Sequence, residues 1–316
     1  GTADERVEQR TYQYDDHGNV VREDTLVSGR RDGTPVPLEG WSVESTYAHD
    51  DTRHVHDRVA RVIRRARDGT LLGEVRHHYD GPDFVGLPLG RVERGLLTRK
   101  QRLVQRRVDF DAHYGGVATP GDLHLTPDDD VDGKPALFAE LERKRYDDRG
   151  LLVAERDEVG VEQRREYDAD GLFAIRKVGP LGVTTIEVDH HAGEPSRIVD
   201  GDGTEVLMRY DGLGRTIAAA FPGDTLAEPT RRYSYDTTEV PVRVAATYRR
   251  IAASDLDIVT YYDGSGQEVQ RRVAHAPGKV VVSGWKEHNR LGDVIAEYEP
   301  TLDTDLGFGR PNLTAR

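Results

Sequence analysis

The feature that most constrains this chain is a recurring Tyr-Asp pair followed by Gly. In the second half, Tyr146, Tyr167, Val188 and Tyr210 open successive copies, so the unit recurs every 21 or 22 residues. Later copies at Tyr235, Tyr262 and His288 are spaced 25, 27 and 26 residues apart. The best-kept copies carry Tyr146, Asp147 and Gly150, then Tyr167, Asp168 and Gly171, Tyr210, Asp211 and Gly214, and Tyr262, Asp263 and Gly266. A second turn signal lies between the pairs, as Asp157-Glu158-Val159-Gly160, Gly179-Pro180-Leu181-Gly182 and Asp200-Gly201-Asp202-Gly203. Asp and Asn side chains bond the local backbone, and Gly accepts positive φ without steric cost. Val, Thr, Tyr and Ile fill the intervals, as strands require. Each repeat therefore reads as two strands and two turns, and a fixed period of this length points to a repeat architecture.

Alternation supports strands. In 204–210, Val206, Met208 and Tyr210 fall on one face and Glu205, Leu207 and Arg209 on the other, the period of a half-buried antiparallel strand. After the turn, Ile217, Ala219 and Phe221 again share a face. The first half follows the same grammar with more drift. Tyr14, Asp15 and Gly18 form a good hairpin, Tyr47 with His49-Asp50 a decayed copy, and Tyr79, Asp80 and Gly81 resume the pattern. Arg58–Arg64 alternates basic and apolar residues as a strand does. Residues 32–37 read as a loop, and 115–135, rich in Gly, Pro and Asp, as the best boundary. Composition and repeat together divide the chain into a divergent repeat region (1–114), a linker with a short helix over 136–144 (115–145), a regular repeat region (146–299) and a tail without pattern (300–316).

Hydrophobic residues make up only 36% and charged residues 32%, which favours thin, well-wetted β structure over a thick core. A net charge of −13 with both signs interspersed disfavours nucleic acid and anionic membranes. Without cysteine there is no disulfide, thiolate metal site or cysteine nucleophile. No apolar run is long enough for a membrane span or signal peptide. Opening on Gly1 rather than Met, the chain reads as a fragment of something longer.

The remaining constellations carry little chemistry. Asp128-Asp129-Asp130-Val131-Asp132-Gly133 opens like a calcium loop, with Asp128, Asp130 and Asp132 as weak candidate ligands. The twelfth position, where a bidentate Glu belongs, is Ala139, so a solvated acidic loop is expected. His54/His56, His77/His78 and His190/His191 lack a His-Glu-x-x-His pattern and read as surface or turn residues. Gly212-Leu213-Gly214 lacks the rest of a dinucleotide fingerprint, and Gly264-Ser265-Gly266 is not a nucleophile elbow. Trp41 and Trp285 read as packing residues, with sugar stacking the alternative. No cofactor and no catalytic constellation is expected, so the chain reads as a non-enzyme.

The Tyr-Asp-x-x-Gly unit at about twenty-residue spacing resembles the rearrangement-hotspot (RHS) or YD repeat. Two longer strings, 79–90 and 281–292 with Tyr298-Glu299-Pro300 after it, resemble blocks in the B components of bacterial insecticidal toxin complexes. The resemblance covers roughly residues 10–300. It implies an all-β fold: antiparallel YD-repeat hairpins stacked into a long curved sheet forming part of a hollow shell, or cocoon. Such a shell is secreted and encloses a toxic C-terminal cargo. Its partners are the rest of its own polypeptide and a pore-forming translocation component, which receives the cargo through a gated propeller end. Propeller repeats, an autocleavage element and a cargo domain have no counterpart in this chain. The rival reading is a surface module that binds glycans or a partner protein. Open sheet edges also predict association in isolation.

Overall fold

The computed structural model describes residues 6–31, 34–250 and 254–310. The fold is all-β and antiparallel, as expected: among the described residues, 21 strands belong to a sheet and two to a separate ribbon. The chain divides into two compact units, Gly1–Gly171 with Lys177–Leu181, and Leu172–Arg176 with Gly182–Arg316.

The first unit opens with β1 (Val7–Tyr14), β2 (Val20–Arg31), β3 (Thr34–Asp50), β4 (Val55–Ala66), β5 (Leu71–Tyr79) and β6 (Leu97–Arg106). Consecutive strands pair as a meander. Helix α1 (Arg107–Tyr114) and β7 (Leu125–Asp129) precede β8 (Pro135–Tyr146), which pairs with both β6 and β7. Strands β9 (Leu152–Arg156) and β10 (Glu162–Tyr167) follow. A small core of Ala48, Ala60, Tyr79 and Val92 is flanked by Val55, Leu89 and Leu97. Phe110, Ala136, Leu137 and Phe138 are also buried.

Next come β11 (Ala174–Gly179), β12 (Gly182–Asp189), β13 (Glu194–Val199), β14 (Glu205–Tyr210), β15 (Thr216–Ala220), β16 (Arg231–Asp236), β17 (Val242–Tyr248), β18 (Leu256–Tyr262), β19 (Glu268–Ala276) and β20 (Lys279–Ser283). From β12 to β20 each strand pairs with the next. β21 (Lys286–His288) and β22 (Val294–Glu297) form the ribbon, and β23 (Thr301–Asp303) returns to pair with β20.

Four expectations change. Residues 136–144 form β8 rather than a helix. Ala, Leu, Glu and Lys favour a helix only weakly, and hydrogen bonding along both edges of β8 overrides that preference. The helix stands instead at α1, which lies against β6 and β8 and buries Phe110 to 1% exposure. The expected 32–37 loop is strand from Thr34 on, while Asp32 and Gly33 lie outside the described residues. Pro35 and Pro37 are tolerated because this end of β3 pairs with β2, whereas its pairing with β4 begins only at Trp41. The tail, without pattern in sequence, nevertheless carries a strand, β23, which pairs with β20; residues 311–316 lie outside the described residues. Finally, β14 shows no clean alternation. Only Arg209 is exposed along it, and Glu205 and Leu207 are half-buried like Val206, Met208 and Tyr210.

Most described residues are exposed or only half-buried, so much of the sheet surface is wet, in line with the low apolar content.

Candidate functional site

The repeat residues build a lattice of turns and cross-strand ties. In four copies the Asp carboxylate accepts the backbone N–H groups two and four residues on. Asp15 holds His17 and Asn19, Asp147 holds Arg149 and Leu151, Asp211 holds Leu213 and Arg215, and Asp263 holds Ser265 and Gln267, all at 2.8–3.0 Å. The Gly three residues after Asp donates its N–H back to the Asp carbonyl, at Gly18, Gly150, Gly171, Gly214 and Gly266, with φ between 74° and 89°. For Gly171 the partner is the Asp168 carbonyl. The carboxylates of Asp15, Asp147 and Asp211 sit low in pKa. For Asp15 the Asn19 amide is the main cause, for Asp147 the Leu151 N–H, and for Asp211 the Arg215 guanidinium. The Ser265 hydroxyl donates to Asp263 at 2.7 Å, so Gly264-Ser265-Gly266 is a turn. Gly212-Leu213-Gly214 is one too.

The Tyr hydroxyls reach back to earlier strands. Tyr79 donates to the Val59 carbonyl, Tyr146 to Leu97, Tyr167 to Leu152 and Tyr210 to Pro195, at 2.7–3.0 Å. Tyr47 and Tyr235 do the same to Val20 and Thr216. Burial raises the phenols of Tyr47, Tyr79, Tyr210 and Tyr235, and Tyr146 is pushed up to about 12. Two copies depart. Tyr14 is 61% exposed. At Tyr262 the preceding residue, Tyr261, is the buried one, and its hydroxyl reaches the Leu306 carbonyl. Replacing Tyr210 by Phe is expected to cost about 1 kcal/mol, the net worth of one such bond. The same change at exposed Tyr14 should be silent. Urea midpoints of the two variants check this.

The pair at Tyr79-Asp80 serves a different end. Asp80 has φ 51° and turns its carboxylate inward, where it is 8% exposed. Its Oδ2 accepts N–H groups of Glu93, Arg94 and Gly95 at 2.7, 2.9 and 3.0 Å, and Oδ1 accepts that of Leu96 at 3.0 Å. Burial alone would raise this carboxyl, but the four donors hold it below the usual range. Asp80 is thus the hub of the 80–96 loop. Gly86 allows the loop to close, since a Cβ there would meet the His78 Cβ at 2.7 Å. Phe84, at the loop tip, lies under the Arg156 guanidinium at 3.8 Å.

The acidic string is solvated at Asp128, Asp129 and Asp132 but not at Asp130. Asp130 is 4% exposed, pairs with Arg106 at 3.0 Å and accepts the N–H groups of Asp132 and Lys134. Asp128 pairs with Arg76 and Asp132 with Arg65 and Arg106. Arginines on β4, β5 and β6 supply the counter-charge, and their positions are far away in sequence. Arg76 also bonds Glu74, itself 1% exposed, and lies 4.0 Å over the Phe138 ring. The corresponding feature of the second unit is Arg272, 1% exposed and held by Gln270, Asp303 and the carbonyls of Asp305 and Gly309. No sequence motif marks either network.

Trp285 packs with Phe308 at 6.0 Å between ring centroids. Trp41 lines an open groove of about 470 Å³ with Thr11, Arg22, Asp24, Glu44 and Arg65, and Arg64 lies 5.0 Å from its ring centre. His190 and His191 are exposed. His77 and His78 are half-buried, and His78 Nδ1 meets the Leu87 carbonyl at 3.0 Å.

Burial lowers both of those imidazoles, helped by Lys100 beside His77 and Arg99 beside His78. The unfolded chain then binds more protons than the fold, so stability is full above the ordinary histidine pKa of about 6.5 and falls below it. Asp80 and Glu140, held low by their N–H and Arg99 partners respectively, add a second loss below about pH 4. Urea midpoints should therefore fall in two acid stages. Converting His77 and His78 to Gln should remove the first stage alone.

Among the described residues, no helix is long and apolar enough to cross a membrane. No protein-family profile and no curated protein matches the sequence. Solved structures do. The crystal structure of TcdB2-TccC3 matches with a TM-score of 0.75 at 14% identity, over 96% of this chain and 21% of that one. The same complex without its hypervariable C-terminal region gives 0.74 at 12% identity, over 96% and 23%. The Photorhabdus luminescens Tc holotoxin pore gives 0.74 at 13%, over 96% and 22%. The chain thus spans about a fifth of the length of each and shares, almost end to end, the fold of that portion of the toxin-complex proteins.

Proposed function

We propose that this chain is a non-enzymatic wall segment of a secreted toxin shell built from YD repeats. The observation that carries this reading is the fold similarity to TcdB2-TccC3 over 96% of the chain at a TM-score of 0.75. The repeat lattice supports it. Six Tyr hydroxyls tie neighbouring strands and capped Asp turns join them, without a thick core, which suits a wall wetted on its faces. In this reading the cargo is a toxic C-terminal part of the same polypeptide, and a pore-forming component receives it. The test is to express the longest reading frame that contains these residues and digest it with trypsin. A C-terminal polypeptide protected until the shell is denatured supports the proposal. A reading frame with no further polypeptide to enclose, or one digested at once, overturns it.

The Trp41 groove favours a second reading, a glycan-binding surface, because an aromatic ring beside Asp24 and Glu44 is a setting in which sugars stack and hydrogen bond. A glycan array would support it by showing binding that Trp41→Ala abolishes.

A further inference from the structure

Three histidines that are distant in sequence meet at one end of the first hairpins. His17 lies in the β1–β2 turn, His49 near the end of β3 and His56 near the start of β4. Each offers one ligand atom, and all three atoms lie within 4.8 Å of one another. The His17 and His56 rings stack at 4.0 Å, and His49 stands 5.5 and 6.0 Å from them. His56 Nδ1 is buried and has no hydrogen-bond partner. Its nearest carboxylate is Asp51 Oδ1, at 3.6 Å.

We propose that His17, His49 and His56 bind a divalent transition-metal ion, with zinc the best fit, and that Asp51 supplies a fourth donor. Imidazole suits zinc, copper and nickel, whereas calcium and magnesium demand oxygen ligands. Zinc takes imidazole nitrogen at 2.0–2.1 Å in a tetrahedron, which sets ligand atoms roughly 3.3 Å apart. The Asp51–His56 separation is already near that spacing. The three nitrogens, all within 4.8 Å of one another, must close by at most about 1.5 Å to reach it. His17 and His49 are exposed, so rotation about their side-chain bonds closes the set without moving the strands. An unsatisfied buried imidazole nitrogen costs free energy, and a metal bond removes that cost. The ion would clip the β1–β2 turn to the β3–β4 turn. In a chain without cysteine it would act as the cross-link that a disulfide provides elsewhere.

The test uses the full 316-residue chain, stripped of metal with a chelator. Zn²⁺ is titrated by calorimetry and Co²⁺ by visible absorption, where a tetrahedral site gives intense bands. One equivalent is expected to bind. His17→Ala and His49→Ala, both at exposed positions that leave the fold intact by circular dichroism, should each weaken binding at least tenfold and abolish the cobalt bands. His191→Ala, an exposed histidine elsewhere, should change neither. Absence of saturable binding, binding that survives either cluster substitution, or an equal loss in His191→Ala overturns the proposal.

Discussion

Asp80→Ala should destabilise the first unit by about 3–5 kcal/mol, because it strands several buried donors at once. Four N–H groups, from Glu93 to Leu96, converge on that one carboxylate at 2.7–3.0 Å. A buried donor left without a partner costs about 1–3 kcal/mol, and water entering the loosened loop recovers part of the sum. The backbone adds to the loss. Residue 80 has φ 51°, a conformation Asn and Asp tolerate and Ala resists. Asp80→Asn is therefore the informative partner variant. It keeps one acceptor oxygen and the backbone preference, and should lose less than half as much. Hydrogen exchange at the amides of residues 93–96 reads the effect locally, since these should lose protection in the Ala variant before the rest of the unit does. If both variants keep wild-type protection and urea midpoint, Asp80 is not the hub described here.

Arg272→Met carries the second large effect, in the second unit. The guanidinium is 1% exposed and donates to Gln270 Oε1, Asp303 Oδ2 and the carbonyls of Asp305 and Gly309, at 2.9–3.0 Å. Met keeps much of the apolar stem and removes the charge. Asp303 and two carbonyls then lose their donor, and breaking a buried pair from one side costs about 3–5 kcal/mol. The tail should come away with it. Residues 301–310 are held by the short β20–β23 ladder, by Arg272 and Gln270, and by the Tyr261 hydroxyl on Leu306. Their exchange should speed up well before that of β18. Arg272→Lys should fall between, since one ammonium cannot span the same fan of acceptors. Arg271→Ala, at a side chain 48% exposed, should stay within about 0.5 kcal/mol of wild type. A tail that remains protected in Arg272→Met would show that β23 and Tyr261 suffice.

These two sites differ in how legible they are. Asp80 belongs to a Tyr-Asp-Gly copy and can be picked out from the sequence, but its role cannot. At Asp15, Asp147, Asp211 and Asp263 the carboxylate serves its own turn, whereas Asp80 reaches N–H groups 13 to 16 residues away. Arg272 carries no signal at all, because its partners lie 31 to 37 residues on in a tail that lacks pattern. The acidic string misleads for a similar reason. Read alone, 128–133 suggests a calcium loop or a solvated one, and only the arginines of β4, β5 and β6 make it an ion-paired cap. The helix expected over 136–144 fails likewise: weak local preference yields to pairing on two edges. His56 pairs with His54 by proximity in sequence, yet the fold groups it with His17 and His49.

What the sequence determines by itself is the turn and its period. An Asp that bonds the N–H groups two and four residues on, with Gly at positive φ between them, needs only five or six residues of chain, so it is written wherever the motif occurs. The strands between such turns follow from composition, and with them the all-β, antiparallel class. What only the tertiary structure decides is which distant groups meet. Ion pairs, buried hubs and the histidine cluster depend on strand register. Register is set by hydrogen bonding and side-chain fit along whole strands, which no short window of sequence contains.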